Sequence, residues 1–389
     1  MSTRLPPELV VLMHGAPVAS LRRHPRTKAL PLEYCAGLPA GPPPLSVSMP
    51  LAATTHAGPV VANWVQGLLP DRVDEITGSG ALDPLTEQDI AERLVGLATE
   101  ASGWGIRVGA GEFSLAGSQA RLALHHGPGG WAVPTGAMPT THIIKPAIAA
   151  LPDQDINEHL TMRTASLVGL RVPTTSVVRF AGQRALVVER YDRARIGDEW
   201  YRVHQEDACQ ALGMSPARRY EADGGPGPAD IVGLLRREVA GPDYGGDALL
   251  FLEALGFNWL VGGTDAHAKN YSVLHGGNGH VRLAPLYDIA SALPYGRLHE
   301  QRLALAMKVG DKYRVHRIGR HEWQKLAADV HLSADETIGR IADLASRVVD
   351  SIATVRDRAV SRGLTHPIVP RLAEALARRA HLCLQLLRA

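Results

Sequence analysis

Asp265 and Asn270 stand five positions apart, and a second acid, Asp288, follows a short hairpin-like segment. Together they offer an acid that can take a hydroxyl proton, and an amide oxygen and a second carboxylate that suit magnesium. That set fits phosphoryl transfer. The reaction asks little covalent chemistry of a protein. It asks for positioning, metal ions and cancellation of phosphate charge. Asp265 comes just after the helix stop Gly262-Gly263, where a carboxylate can point into a cleft. Asn270 supplies a neutral oxygen, which does not overload a magnesium site with negative charge. Lys269 could neutralise a transferred phosphate. Simpler explanations exist for each residue alone: an Asx turn for Asp265 and Asn270, and a cap on a helix starting near Ile289 for Asp288.

Other residues weigh on the choice. Lys145 ends the apolar run Ile143-Ile144, a strand from which a lysine can reach nucleotide phosphates. Glu158, at the start of the next helical pattern, is a candidate to orient it. The turn Ala116-Gly117-Ser118-Gln119, flanked by Ser114, could cradle phosphate with backbone N–H groups, although it lacks a full glycine-rich pattern. His267 has no second histidine or carboxylate at ligand spacing, which argues against zinc. No Gly-x-Ser-x-Gly elbow or Walker A Gly-Lys-Ser/Thr occurs. The basic run Lys312, Arg314, Arg317 and Arg320 reads as a solvated face. His125 and His126, beside a Gly-Pro turn, read the same way.

The elements that must position these residues follow from pattern. The 389 residues allow two or three domains, and 45% hydrophobic with 21% charged residues is a globular composition. A net charge of +2 argues neither for nor against nucleic-acid binding. Three isolated cysteines exclude a disulfide framework or a CxxC zinc site. No apolar run is long enough for a membrane span, and Met1 to Pro7 lacks the order of a signal peptide. A cytoplasmic location and no membrane partner are expected.

Residues 1–98 read as a small unit. Leu9–Met13 and Leu45–Met49 are strand candidates, 63–69 is a short helix, and Thr86 with Asp89 caps a helix facing inward at Ile90, Leu94 and Leu97. Residues 99–203 are rich in strand patterns: 121–124, 142–145, and a hairpin of 172–178 with 185–189. A connector near 189–192 leads into 204–389, where helices are expected over 247–261, 321–331, 334–362 and 370–388. A glycine-rich hairpin at 271–283 interrupts them.

Taken in order, these segments resemble the HipA family of serine/threonine kinases, the toxins of type II toxin–antitoxin pairs. The resemblance is carried by Phe113–Gln119, Thr140–Lys145, Asn157-Glu158, Leu186–Arg193, His204–Asp207 with Cys209–Gly213, Asp265–Asn270 and Leu283–Asp288. Leu45–Leu51 and Gly67–Asp71 resemble the family's N-terminal subdomain. The resemblance implies an α+β, bilobal protein-kinase-like fold: a small N-terminal α/β subdomain, a β-rich nucleotide lobe and a helical catalytic lobe. It implies ATP and Mg2+ as cofactors, Asp265 as the catalytic residue, and Asn270 and Asp288 as magnesium ligands. Lys145 would meet the ATP phosphates, and Glu189, Arg190 and Tyr191 would form the adenine hinge. His267, Ala268, Lys269, Asn270, Tyr287 and Asp288 would line the nucleotide site. Ala116, Gly117, Ser118, Gln119, Ala120 and Arg121 would form a phosphate loop silenced by autophosphorylation of Ser114. Implied partners are a protein substrate such as glutamyl-tRNA synthetase, a helix-turn-helix antitoxin, and operator DNA through that antitoxin. The sequence departs from the family at Arg121, usually Lys, and at Tyr191, usually Phe. Two other readings stay open: an aminoglycoside-type phosphotransferase and a non-catalytic, DNA-associated scaffold.

Overall fold

The computed structural model describes every residue except 1–7, 14, 25, 27–28, 39–42, 69–79, 101–120, 148–152, 198, 240–243, 277–279, 296–299 and 389. The first unit is a four-stranded antiparallel sheet, β1 (Glu8–Met13), β2 (Ala16–Arg22), β3 (Leu32–Tyr34) and β4 (Thr55–His56), in that order. Helix α1 (Pro59–Leu68) accompanies it, and Ala19, Leu32, Met49, Val61 and Trp64 form the core.

The strand expected at Leu45–Met49 is instead a turn closed by the single bridge Ser46–Met49. Side chains explain the difference. The Tyr34 hydroxyl donates to the Met49 carbonyl (2.7 Å) and accepts from the Leu45 N–H (3.0 Å), and Trp64 Nε1 donates to the Leu45 carbonyl (3.2 Å). Those bonds take the backbone groups that a ladder would use.

The second sheet has six antiparallel strands in the order β5-β7-β6-β8-β10-β9. These are β5 (Leu82–Pro84), β6 (Leu122–Gly127), β7 (Gly130–Pro134), β8 (His142–Pro146), β9 (Thr175–Phe180) and β10 (Gln183–Glu189). Helix α2 (Glu87–Glu100) lays Ile90, Leu94 and Leu97 on Leu122, Leu124, Ile144, Phe180 and Val187. Thr86 and Asp89 form the expected reciprocal cap: the Asp89 N–H reaches Thr86 Oγ1 (3.1 Å), and the Thr86 N–H reaches Asp89 Oδ2 (2.8 Å). In packing terms the second unit already begins at β5, ahead of the boundary read near residue 98. His125, expected to be solvated, is buried. It faces inward on β6, with Nδ1 on the Pro139 carbonyl (2.9 Å) and its ring edge-on to Trp200.

Helix α3 (Gln154–Leu167) passes behind this sheet and joins the largest core through Ile156, Leu160 and Ala165. After the hairpin β11 (Arg193–Ile196) and β12 (Glu199–Arg202) the chain becomes largely helical. Strand β13 (His204–Asp207) runs into α4 (Ala208–Ala211), α5 (Pro228–Glu238) and α6 (Tyr244–Val261). Strand β14 (Ser272–His275) pairs with β13 on one side and with β15 (Val281–Leu283) on the other, and β16 (Ala304–Val309) pairs with β17 (Lys312–Arg314).

Three helices close the chain: α7 (Arg320–Asp329), α8 (Ala334–Ser361) and α9 (Ile368–Arg388). Helix α6 is apolar nearly all round because it is the centre of this lobe, with Phe251, Leu255, Trp259 and Leu260 fully enclosed. Helix α8 buries the stripe Ile338, Ile341, Leu344, Ala345, Val348, Ile352 and Val355, the spacing of a helix docked on one side. No helix among the described residues is long and apolar enough to cross a membrane.

Candidate active site

Lys145 stands in β8, paired opposite Leu186 of β10, and its side chain is 4% exposed. A buried ammonium needs counterions. It has two: Nζ donates to Glu158 Oε1 at 2.7 Å and to Asp288 Oδ1 at 2.6 Å. Glu158 comes from α3 and Asp288 from the segment after β15, so one lysine ties the β-rich lobe to the helical one. Arg121 approaches the other Asp288 oxygen at 3.9 Å. Burial alone would raise the Asp288 pKa, but the charges of Lys145 and Arg121 outweigh it and bring it down to about 2. Burial pushes Lys145 down, yet Asp288 and Glu158 hold it above its ordinary value. Asp288 has φ 60°, a left-handed conformation that aspartate tolerates better than most residues. The backbone after it is not helical, so Asp288 caps no helix.

The 265–270 loop begins where α6 stops. Gly262 (φ 64°) turns the chain out of the helix, and the Gly263 N–H returns to the Asn258 carbonyl at 2.7 Å. The Asp265 carbonyl then accepts from the His267 N–H (2.8 Å) and from Asn270 Nδ2 (2.7 Å). This leaves the Asn270 amide oxygen for other work. The Asp265 side chain reaches an exposed position, where the Tyr220 hydroxyl donates to Oδ1. His267 is buried and edge-on to Tyr220 at 5.0 Å. Burial lowers its pKa, while the charges of Asp265 and Asp288 both act on it in the opposite sense. The charges of both carboxylates therefore reach the imidazole. Ala268 is buried, and its N–H bonds the Arg219 carbonyl (3.1 Å). Lys269 lines the cleft, but its ammonium is already paired with Asp207 Oδ2 at 2.5 Å. The Tyr287 hydroxyl donates to the Lys269 carbonyl (2.7 Å) and receives the Ser272 hydroxyl (2.6 Å).

Strand β10 ends at Glu189 and leads into the segment joining the lobes. The Arg190 N–H bonds the Thr141 carbonyl (2.9 Å), and the Tyr191 hydroxyl donates to Gln205 Oε1 (2.6 Å). Asp192 is gripped by Arg190 (2.9 and 2.7 Å) and by Arg193 (2.7 Å). Burial works against its charge, and the two guanidiniums still keep its pKa below the ordinary value.

A cleft of about 370 Å³ opens between these parts. That volume falls within the range of small-molecule sites. Its wall brings together Arg121, Lys145, Glu189, Arg190, Tyr191, Lys269, Tyr287 and Asp288. Asp265, His267, Ala268 and Asn270 lie on the adjoining loop and do not line the cleft itself. Ser114 and Ala116, Gly117, Ser118, Gln119 and Ala120 lie outside the described residues. Among the described residues, no group of three or more His, Cys, Asp or Glu could hold a metal ion.

Three polar residues of the site had no role assigned from sequence. Asp192 carried a visible signal, an acid between two arginines. Asp207 carried another, since Asp207 and Gln210 cap α4 reciprocally. Tyr220 gave none: it sits between two short 3₁₀ turns, and only the fold brings it to Asp265.

The two lobes, the lysine bridging them and the cleft beneath define a kinase-like protein. Family models agree: the HipA-like C-terminal domain matches residues 113–352, and the HipA N-terminal domain matches residues 9–95. The chain belongs to the HipA family of kinases. It is 35% identical over 339 residues to Y4mE of Sinorhizobium fredii, a protein whose kinase assignment is itself inferred; the match covers 85% of this chain and 78% of that one. It is 29% identical over 292 residues to the serine/threonine-protein kinase toxin HipA of Shewanella oneidensis, covering 70% of this chain and 64% of that one. A solved structure of the Shewanella oneidensis HipA, HipB and operator DNA complex superposes with a TM-score of 0.80 at 22% identity. That match spans 96% of this chain and 97% of the other. At that identity the likeness concerns the fold.

Proposed function

We propose that this chain transfers the γ-phosphate of ATP to a serine or threonine of a protein, with Asp265 accepting the hydroxyl proton. The observation that carries the reading is the ion pair of Lys145 with both Glu158 and Asp288 across the lobes. A lysine held this way presents charge to nucleotide phosphates, and the carboxylate beside it is ionised and available to a cation. Magnesium would be held by Asp288 and the Asn270 amide oxygen and would neutralise charge on the phosphates. Glu189 to Tyr191 would receive the adenine along the segment that joins the lobes. Arg121, which lines the same cleft, would complete the phosphate loop. Autophosphorylation of Ser114 would displace that loop and silence the enzyme.

The same reading extends to partners. The Shewanella complex motivates a helix-turn-helix antitoxin for this chain, with operator DNA bound through it. An aminoacyl-tRNA synthetase such as the glutamyl enzyme is the proposed target, in the cytoplasm. The three-part division is kept as a proposal, with its second boundary at residue 203 and its first moved ahead of β5.

Incubation with γ-labelled ATP, Mg2+ and a bacterial lysate tests the reading. Asp265→Ala and Asp288→Ala should each lower label transfer to protein by roughly 10²–10⁴-fold, the range expected on losing acid–base or charge-stabilising groups. Their circular dichroism should stay native. Undiminished transfer in either variant overturns the assignment. Label on a small molecule alone would favour an aminoglycoside-type phosphotransferase.

A further inference from the structure

We propose that Tyr220 is a positioning residue for Asp265: its hydroxyl holds one carboxylate oxygen and leaves the other for the incoming substrate hydroxyl. The inference rests on the kinase reading above. Tyr220 lies 45 residues before Asp265, in an irregular stretch, yet its hydroxyl donates to Asp265 Oδ1. Its ring stands edge-on to His267 at 5.0 Å, and the Arg219 guanidinium sits 5.2 Å from its centroid.

A loose surface segment could make such a contact by accident. This segment is tied down on both sides of the tyrosine. The Arg219 carbonyl accepts from the Ala268 N–H of the 265–270 loop (3.1 Å). The Tyr220 carbonyl accepts from the N–H groups of Asp223 (3.1 Å) and Gly225 (2.9 Å). The Glu221 carboxylate accepts from the Lys308 N–H at 2.7 Å. At Gly225 a Cβ would stand 2.0 Å from the Arg218 carbonyl oxygen and 2.7 Å from that of Tyr220, so any side chain here forces this segment to shift. The phenol is therefore built into the loop's framework.

In the transfer, the serine oxygen bonds the γ-phosphorus and the bond to the β–γ bridging oxygen breaks. The hydroxyl proton passes to the free oxygen of Asp265. An exposed carboxylate turns easily about its terminal torsion. A donor fixed on one oxygen removes that freedom, and small misplacements of a reacting group are costly in rate. Burial, and then the bond to Asp265, raise the pKa of Tyr220. The phenol so keeps its proton and orients the carboxylate without acting as a base.

Tyr220→Phe deletes one oxygen and retains the ring. With the full-length chain and γ-labelled ATP, kcat should fall about tenfold. KM for ATP should stay within about twofold, because Tyr220 does not line the nucleotide cleft. Gly225→Ala, which shifts the segment without touching the phenol, should lower kcat in the same way. Adding Tyr220→Phe to Asp265→Ala should cause no further loss, since the two act as one unit. Unchanged or raised kcat in Tyr220→Phe overturns the inference. So does a loss carried by KM, or loss of native circular dichroism in that variant. If wild type is active and Asp265→Ala inactive, such a result falls on Tyr220 alone. An active Asp265→Ala overturns the kinase reading and this inference together.

Discussion

At the scale of single residues, the site depends on how few buried charges are left unpaired. Lys145 is stable in the interior because Glu158 and the half-buried Asp288 are its counterions, and Lys269 persists by pairing with Asp207. The sign of the pH dependence follows. Asp288 has a pKa lowered from 3.8 to about 2, so its contribution is full above pH 4 or so and is lost as pH falls through about 2. The melting-temperature advantage of the wild type over Asp288→Asn should therefore shrink between about pH 4 and pH 2. A gap that stays constant across that window would mean that the pair adds nothing to folding. Asp265, Asn270, Asp288 and Lys145 could all be picked out as candidates for the proposed chemistry from type and spacing. Tyr220 was not, because a hydroxyl donor far off in sequence leaves no periodic trace.

At the scale of elements, local signals were reliable wherever a helix or hairpin could be read from its own residues. The Thr86–Asp89 cap, the α8 stripe and the β14–β15 hairpin all rest on short-range chemistry. Thr86→Ala removes an N-cap acceptor and should cost about 1 kcal/mol in denaturant titration. No change in midpoint would show that packing of α2 on the sheet alone holds its first turn. Leu45–Met49 failed as a strand for the opposite reason. Its alternation was real, but Tyr34 and Trp64 claim its backbone groups, and neither is near it in sequence.

At the scale of the molecule, the N-terminal unit is bolted to the strand that floors the cleft. Glu206 of β13 accepts from Ser46 Oγ (2.6 Å), from the Val47 N–H (3.0 Å) and from His275 Nε2 (2.7 Å). The stacked ring of His204 reaches the Leu45 carbonyl at 3.0 Å. Glu206→Ala removes the acceptor shared by these three donors, leaves the buried His275 Nε2 without its partner, and should cost about 3 kcal/mol. Limited proteolysis should then release the N-terminal unit sooner than in the wild type. Equal cleavage rates would show that apolar contacts alone hold it.

The sequence by itself determined the inventory: which acids, amide and lysine could do phosphoryl chemistry, and where most helices and hairpins run. Propensity, capping and periodicity act over a few residues, so they survive in the linear text. Only the tertiary structure decided that Lys145 meets both Glu158 and Asp288, that Lys269 is engaged by Asp207, and that Tyr220 holds Asp265. Those contacts join residues up to 143 positions apart. Burial selects the two lysine contacts, because a charge removed from water must find a partner wherever in the chain one lies, while the backbone ties around Tyr220 bring its hydroxyl to the exposed Asp265.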